Sequence, residues 1–250
     1  MLFLHGKELN IKEFIMKKIR SITALALSSL ILLTLAACGQ KTEEGTTVEK
    51  GTAALNTIVG AYPERMGFHD EMQHWGFEVM SGEKFEWSKD MSANVADFAM
   101  VMMAEPLMQA GLDVEKLDPD TWLYQEAGKD SMGMQQPSLL ILPYNVGDEK
   151  MPTEKAEDSM KTLLETAEEN LMYHGDMKHY VLNMGNTNEV IWTEELGLND
   201  TDMAFVLEAE PLVAAGLDLD KLDGSGWSFK KADATAGTPD QIIRTFDLKN

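Results

Sequence analysis

The stretch running from His69 to Trp122 is written a second time, 105 residues later, from His174 to Trp227. His69, Met72, His74, Trp87, Ala104-Glu105-Pro106-Leu107, Ala110-Gly111-Leu112-Asp113, Lys116-Leu117-Asp118 and Trp122 recur as His174, Met177, His179, Trp192, Ala209-Glu210-Pro211-Leu212, Ala215-Gly216-Leu217-Asp218, Lys221-Leu222-Asp223 and Trp227. No gap is needed between residues 66 and 127, and about a third of those positions are identical. Whatever unit the first copy forms, the second must form too. The register predicts a tandem duplication with halves at 51–150 and 151–250, related by a pseudo-twofold axis.

Each half can therefore be read twice. Residues 155–172 carry Met160, Leu163, Leu164, Ala167 and Leu171 at helical spacing with a polar reverse face, which predicts an amphipathic helix. Its counterpart near 52–66 contains Gly60 and Pro63, so the first copy should be shorter or broken at its end. After the histidines, HWGFEV and HYVLNM alternate, and turn residues separate them from KFEWS and EVIWT. This predicts a β-hairpin in each copy, with Trp75, Phe77 and Val79 on one face and His74 on the other. Phe98, Met100 and Met102, like Met203, Phe205 and Leu207, alternate as a strand does. Pro106 or Pro211 should then hold the first position of a short helix, and Gly111 or Gly216 should end it in a left-handed conformation. Strands around 122–126 with 138–144, and 227–231 with 241–248, complete each copy. The expected class is α+β: one helix followed by a mostly antiparallel sheet, twice.

The chain has 250 residues, 44% of them apolar, enough to bury a sizeable core, but a single cysteine, which excludes an internal disulfide framework. The position of that cysteine is informative. From Met16 the sequence reads MKKIRSITALALSSLILLTLAACGQ: a basic start (Lys17, Lys18, Arg20), an apolar run from about Ile22 to Leu35, then small residues before Cys38. The apolar run is too short for a membrane span. Leu35-Ala36-Ala37-Cys38 resembles the lipobox of bacterial lipoproteins. The resemblance implies cleavage before Cys38 by signal peptidase II, a lipid (palmitate among its acyl chains) on that cysteine, and a body held at the extracytoplasmic face of the cell membrane. Residues 1–38 are read as leader and signal peptide with Met16 the expected true start, and 39–50, GQKTEEGTTVEK, as a flexible tether. Loss of the first 38 residues removes five Lys/Arg and two Asp/Glu, so the net charge of −21 becomes −24. Nucleic acid is a poor partner for such a body; a small ligand, a metal or an envelope protein is electrostatically tolerated.

Four of the five histidines lie in the two matched pairs, His69/His74 and His174/His179. Imidazole binds zinc or copper, and thioether suits copper(I), so His69, His74, His174, His179, Met72 and Met177 form a candidate metal set, with Met132 and Met134 as a further soft pair. Residues five apart share no face in a regular helix or strand, which favours imidazoles that brace the fold by hydrogen bonds. Glu105 and Glu210 can cap the short helices, or act as an acid–base pair if the axis brings them together. Trp87, Trp122, Trp192 and Trp227 are core pins or the lining of a ligand groove. No phosphate loop, nucleophile elbow or HExxH motif occurs. A binding module is expected, with a metal-binding lipoprotein and a hydrolase using the paired glutamates as alternatives; no residue is assigned as catalytic.

Overall fold

A computed structural model describes residues 45–249, apart from 71, 90–95, 130–132, 147–154, 199 and 236. The leader with Cys38, residues 39–44 and Met132 lie outside the described residues. Helix α1, Thr47–Ala61, begins inside the stretch expected to be a tether. Thr46 explains why: its hydroxyl accepts from the Glu49 backbone N–H while Glu49 Oε2 accepts from the Thr46 N–H, a complete capping box. With Val48 already buried, only the residues before Thr46 remain for a tether. α1 is consequently the longer of the two amphipathic helices, not the shorter. Pro63 does terminate it, through a 3-10 turn at Pro63–Arg65.

Four strands follow: β1 (Met66–His69), β2 (His74–Met80), β3 (Glu83–Ser88) and β4 (Phe98–Met103). Then come helix α2 (Ala104–Gln109), β5 (Leu123–Gln125), a minor hairpin of β6 (Gly128–Lys129) and β7 (Gln135–Gln136), and β8 (Leu139–Tyr144). The second series is α3 (Ala156–Thr166), β9 (Leu171–His174), β10 (His179–Asn183), β11 (Glu189–Thr193), β12 (Met203–Glu208), α4 (Ala209–Ala214), β13 (Trp227–Lys230) and β14 (Gln241–Phe246). All pairings are antiparallel. The first large sheet runs β1-β2-β3-β4-β8-β5 and the second β9-β10-β11-β12-β14-β13, the same path in both.

Two further sequence expectations are corrected. α3 ends at Thr166 rather than near 172, because Leu171, apolar enough for either state, pairs with Leu182 as a strand residue. Pro106 and Pro211 are the third residues of α2 and α4, not the first. Any first-turn position serves, since no intrahelical N–H bond is lost there. The glycines behave as expected: φ is +103° at both Gly111 and Gly216, and Leu112 and Leu217 N–H reach back to Leu107 and Leu212 O, the Schellman closure of a helix.

Residues 45–250 form one compact unit, and its apolar core runs without a break from Val48 to Leu248. The joining contacts come in matched pairs. Trp87 Nε1 donates to Ala156 O at 3.1 Å, and Trp192 Nε1 donates to Gly51 O at 2.9 Å. Thus α1 packs on β9 and β11 of the second sheet, α3 packs on β3 of the first, and the two helices pack on each other. Gly51 permits the close seat, since a Cβ there would lie 3.0 Å from the Tyr180 ring. At the opposite joint, Asp113 N–H donates to Ala215 O and Asp218 N–H to Ala110 O, each at 2.9 Å. There a Cβ on either Gly111 or Gly216 would stand 2.9 Å from the other glycine's carbonyl oxygen.

Candidate functional site

The five-residue separation of the histidines is the arc of a tight hairpin. β1 and β2 pair so that His69 stands directly opposite His74, and β9 and β10 set His174 opposite His179. Directly opposed residues project from the same face of a sheet with Cβ atoms about 5 Å apart. The first turn carries neither glycine nor proline and the second carries Gly175, but in both the left-handed conformation falls on the last turn residue, Gln73 or Lys178, with φ of 52° and 54°.

From this shared frame the two hairpins diverge. In both, the second imidazole is buried and its Nε2 faces a carbonyl: His74 with Ala96 O at 2.9 Å, His179 with Thr201 O at 3.3 Å. A carbonyl only accepts, so His74 Nε2 carries a proton. In the second hairpin the other nitrogen, His179 Nδ1, lies 2.6 Å from Met177 O and is occupied locally. In the first, His74 Nδ1 has no hydrogen-bond partner and faces Glu86 Oε2 at 3.6 Å, while His69 Nδ1 stands 3.3 Å from Glu86 Oε1. Glu86 is 2% exposed and sits across from Gly76; the equivalent pair in the second sheet is Ile191 across from Val181. Burial acts to raise the Glu86 pKa, but the His69 and His74 imidazoles beside the carboxylate outweigh it and bring it down to about 2.

The candidate residues therefore separate. His69 and His74 come together, with Glu86 as a third member that repeat matching could not reveal. His174 and His179 meet each other but no carboxylate. Met72, Met177 and Met134 are exposed. Among the described residues, no group of three or more His, Cys, Asp or Glu is arranged to hold a metal ion. Trp87 and Trp192 are 1% and 0% exposed and serve as core pins. Trp122 and Trp227 are likewise buried, although Trp122 backs a shallow hollow of about 230 Å³ with Tyr124, Leu117 and Pro119. Glu105 and Glu210 are exposed, each in the first turn of its own short helix, where Glu105 accepts from Gln109.

Buried charge elsewhere maintains the fold. Asp97 and Asp202, also 105 residues apart, accept from the Val146 N–H at 2.7 Å and the Leu248 N–H at 3.0 Å. Glu83, 2% exposed, receives two donors from Arg244 at 2.9 and 3.1 Å. Burial raises the Glu83 pKa even so, with Arg244 and the Met103 backbone opposing. No helix among the described residues is long and apolar enough to cross a membrane. No protein-family model matches the chain, and none of the curated proteins or solved structures compared is similar to it.

Proposed function

We propose that this protein is a lipid-anchored, extracytoplasmic binding module, tethered to the cell membrane through Cys38. The observation that carries the reading is the signal-peptide pattern ending in Leu35-Ala36-Ala37-Cys38. The position of the Thr46 cap supports it from the other side. Residues 39–45 separate the cysteine from the first helix, a stretch that reaches at most about 25 Å, so the body would work close to the bilayer surface. A binding role is favoured over hydrolysis because Glu105 and Glu210 sit in solvent on separate helices, whereas the enclosed polar cluster joins two imidazoles to a carboxylate.

The body is a fused duplication with a pseudo-twofold axis near Gly111 and Gly216. In support stand the ungapped 105-residue register, the shared strand path, and the reciprocal bonds from Trp87 and Trp192 and from Asp113 and Asp218. Partners are a small ligand, a cation or another envelope protein; a net charge of −24 disfavours nucleic acid. Replacement of Cys38 by serine tests the address. Incorporation of labelled palmitate should vanish and the precursor should accumulate; wild-type protein that carries no lipid yet stays with the membrane refutes it.

A further inference from the structure

We propose that the outer edge of β5, with the hollow beside it, docks an extended segment of a partner protein that carries lysine or arginine at alternate positions. The inference rests on the binding-module reading and gives it a partner class.

The first support is the edge itself. β5 ends the first sheet: Leu123, Tyr124 and Gln125 pair with β8, and β5 pairs with no other described strand. Such an edge turns the N–H and C=O of alternate residues outward, where an extended chain can join as an added strand. Tyr124, Gln125 and Glu126 are exposed, so the strand is open to solvent. Sheet edges are commonly blunted by lysine. β13, the matching edge of the second sheet, ends in Lys230 and is followed by Lys231, whereas β5 carries no charge.

The second is the shape and lining of the hollow. Tyr124 and Leu140, directly opposed on β5 and β8, project from one face of the sheet. With Trp122, Val114, Leu117 and Glu115 they surround the space of about 230 Å³. Pockets that take whole small molecules begin at about 300 Å³, so this one suits a single side chain. Its walls are apolar, its aromatic ring, Tyr124, is 39% exposed, and its carboxylate, Glu115, faces solvent. A lysine or arginine answers all three features, with the alkyl stem on Leu117 and Trp122 and the cationic head between the Tyr124 face and Glu115.

The third is charge. A net charge of −21 repels a second copy of the chain and draws in a basic partner. The two halves differ in how they carry it. Residues 113–126 hold five acids and one lysine, and that lysine, Lys116, is paired with Asp113 at 2.8 Å; residues 218–231 hold three acids and three lysines. The second half keeps the exposed ring, since Phe229 stands 105 residues after Tyr124 and is 40% exposed, but Gly224 replaces Pro119 and the edge is basic. Phe229 is thus an internal control for an exposed aromatic on an edge strand without the negative surroundings.

The test uses full-length protein in detergent and a short fluorescein-labelled peptide that alternates lysine with valine, read by fluorescence anisotropy. Saturable binding is expected, and none with the glutamate–valine peptide or with a lysine–valine peptide methylated at every backbone nitrogen. Tyr124→Ala should weaken binding about tenfold, Glu115→Gln about two- to fivefold with a shallower salt dependence, and Phe229→Ala not at all. Hydrogen exchange of the wild type needs no variant: the lysine–valine peptide should protect the amides of Leu123–Gln125 and leave those of Trp227–Lys230 unchanged. Absence of saturable binding, equal binding of the methylated peptide, or equal losses from Tyr124→Ala and Phe229→Ala would overturn the proposal. So would a dimer in sedimentation that Tyr124→Ala abolishes, which would place a second copy on the edge. Cys38→Ser should bind the peptide as the wild type does, so a failure of the membrane address and a failure of the docking edge are read separately.

Discussion

Replacing Gly111 by alanine probes the joint between the turns at Gly111 and Gly216. Two costs add. The first is conformational: φ of +103° disfavours any Cβ, by about 1–2 kcal/mol. The second is contact. The new methyl would begin 2.9 Å from Gly216 O, a backbone atom, so the two turns must separate. They are joined by the Asp113-to-Ala215 and Asp218-to-Ala110 bonds, both 2.9 Å; weakening them forfeits about 0.5–1.5 kcal/mol each. The expected loss is about 2–5 kcal/mol. Gly224→Ala isolates the first cost, because Gly224 has φ of +82° and nothing within 4 Å of its added Cβ; it should lose only about 1–2 kcal/mol. Gly216→Ala should match Gly111→Ala, and the double variant should fall short of their sum, since one separation relieves both clashes. Urea unfolding followed by tryptophan fluorescence measures all four. If Gly111→Ala costs no more than Gly224→Ala, the turns do not touch as described and the reasoning fails.

Other perturbations follow from the same contacts. Trp87→Phe and Trp192→Phe each orphan one carbonyl at a helix seat and should lose about 1–3 kcal/mol by denaturant melts, similarly in both halves. Glu86, whose folded pKa is lowered to about 2 from 4.5, contributes stability that is present above pH 4.5 and lost as pH falls toward 2; in Glu86→Gln this part of the acid-unfolding profile should flatten, and an unchanged profile would count against the imidazole–carboxylate contacts. Arg244→Ala leaves Glu83 buried without its cation and should cost about 3 kcal/mol or more at neutral pH. Because the Glu83 pKa is already raised, that cost should shrink under mild acid as the carboxyl protonates, which a pH series of melting temperatures checks.

Period and punctuation carried the strands and the Pro-containing short helices, because alternation and a Schellman glycine are local signals. The histidine hairpins were not legible, since their left-handed turn positions are held by Gln73 and Lys178, residue types that do not announce such a conformation. Glu86 was hidden because self-comparison selects residues that recur 105 positions later, and at that distance Glu86 meets Ile191. Asp97 and Asp202 were matched in register, yet only the folded sheets show that they receive the closing backbone N–H groups. The helix seats were beyond reach for a different reason. A contact between residues 51 and 192 is decided by how two whole layers meet, and no window of sequence contains both.

Because α1 rests on the second sheet and α3 on the first, the order in which the chain becomes available matters. When the first sheet has been synthesised, the helix that must cover it has not, and the helix already made still lacks its platform. The amino-terminal half is left with bare apolar strands until residues beyond 156 arrive, so its stability appears late and all at once. A helix seat between residues as far apart as 51 and 192 also closes slowly. A chain built this way exposes the most apolar strand surface at the moment when half of it has been made.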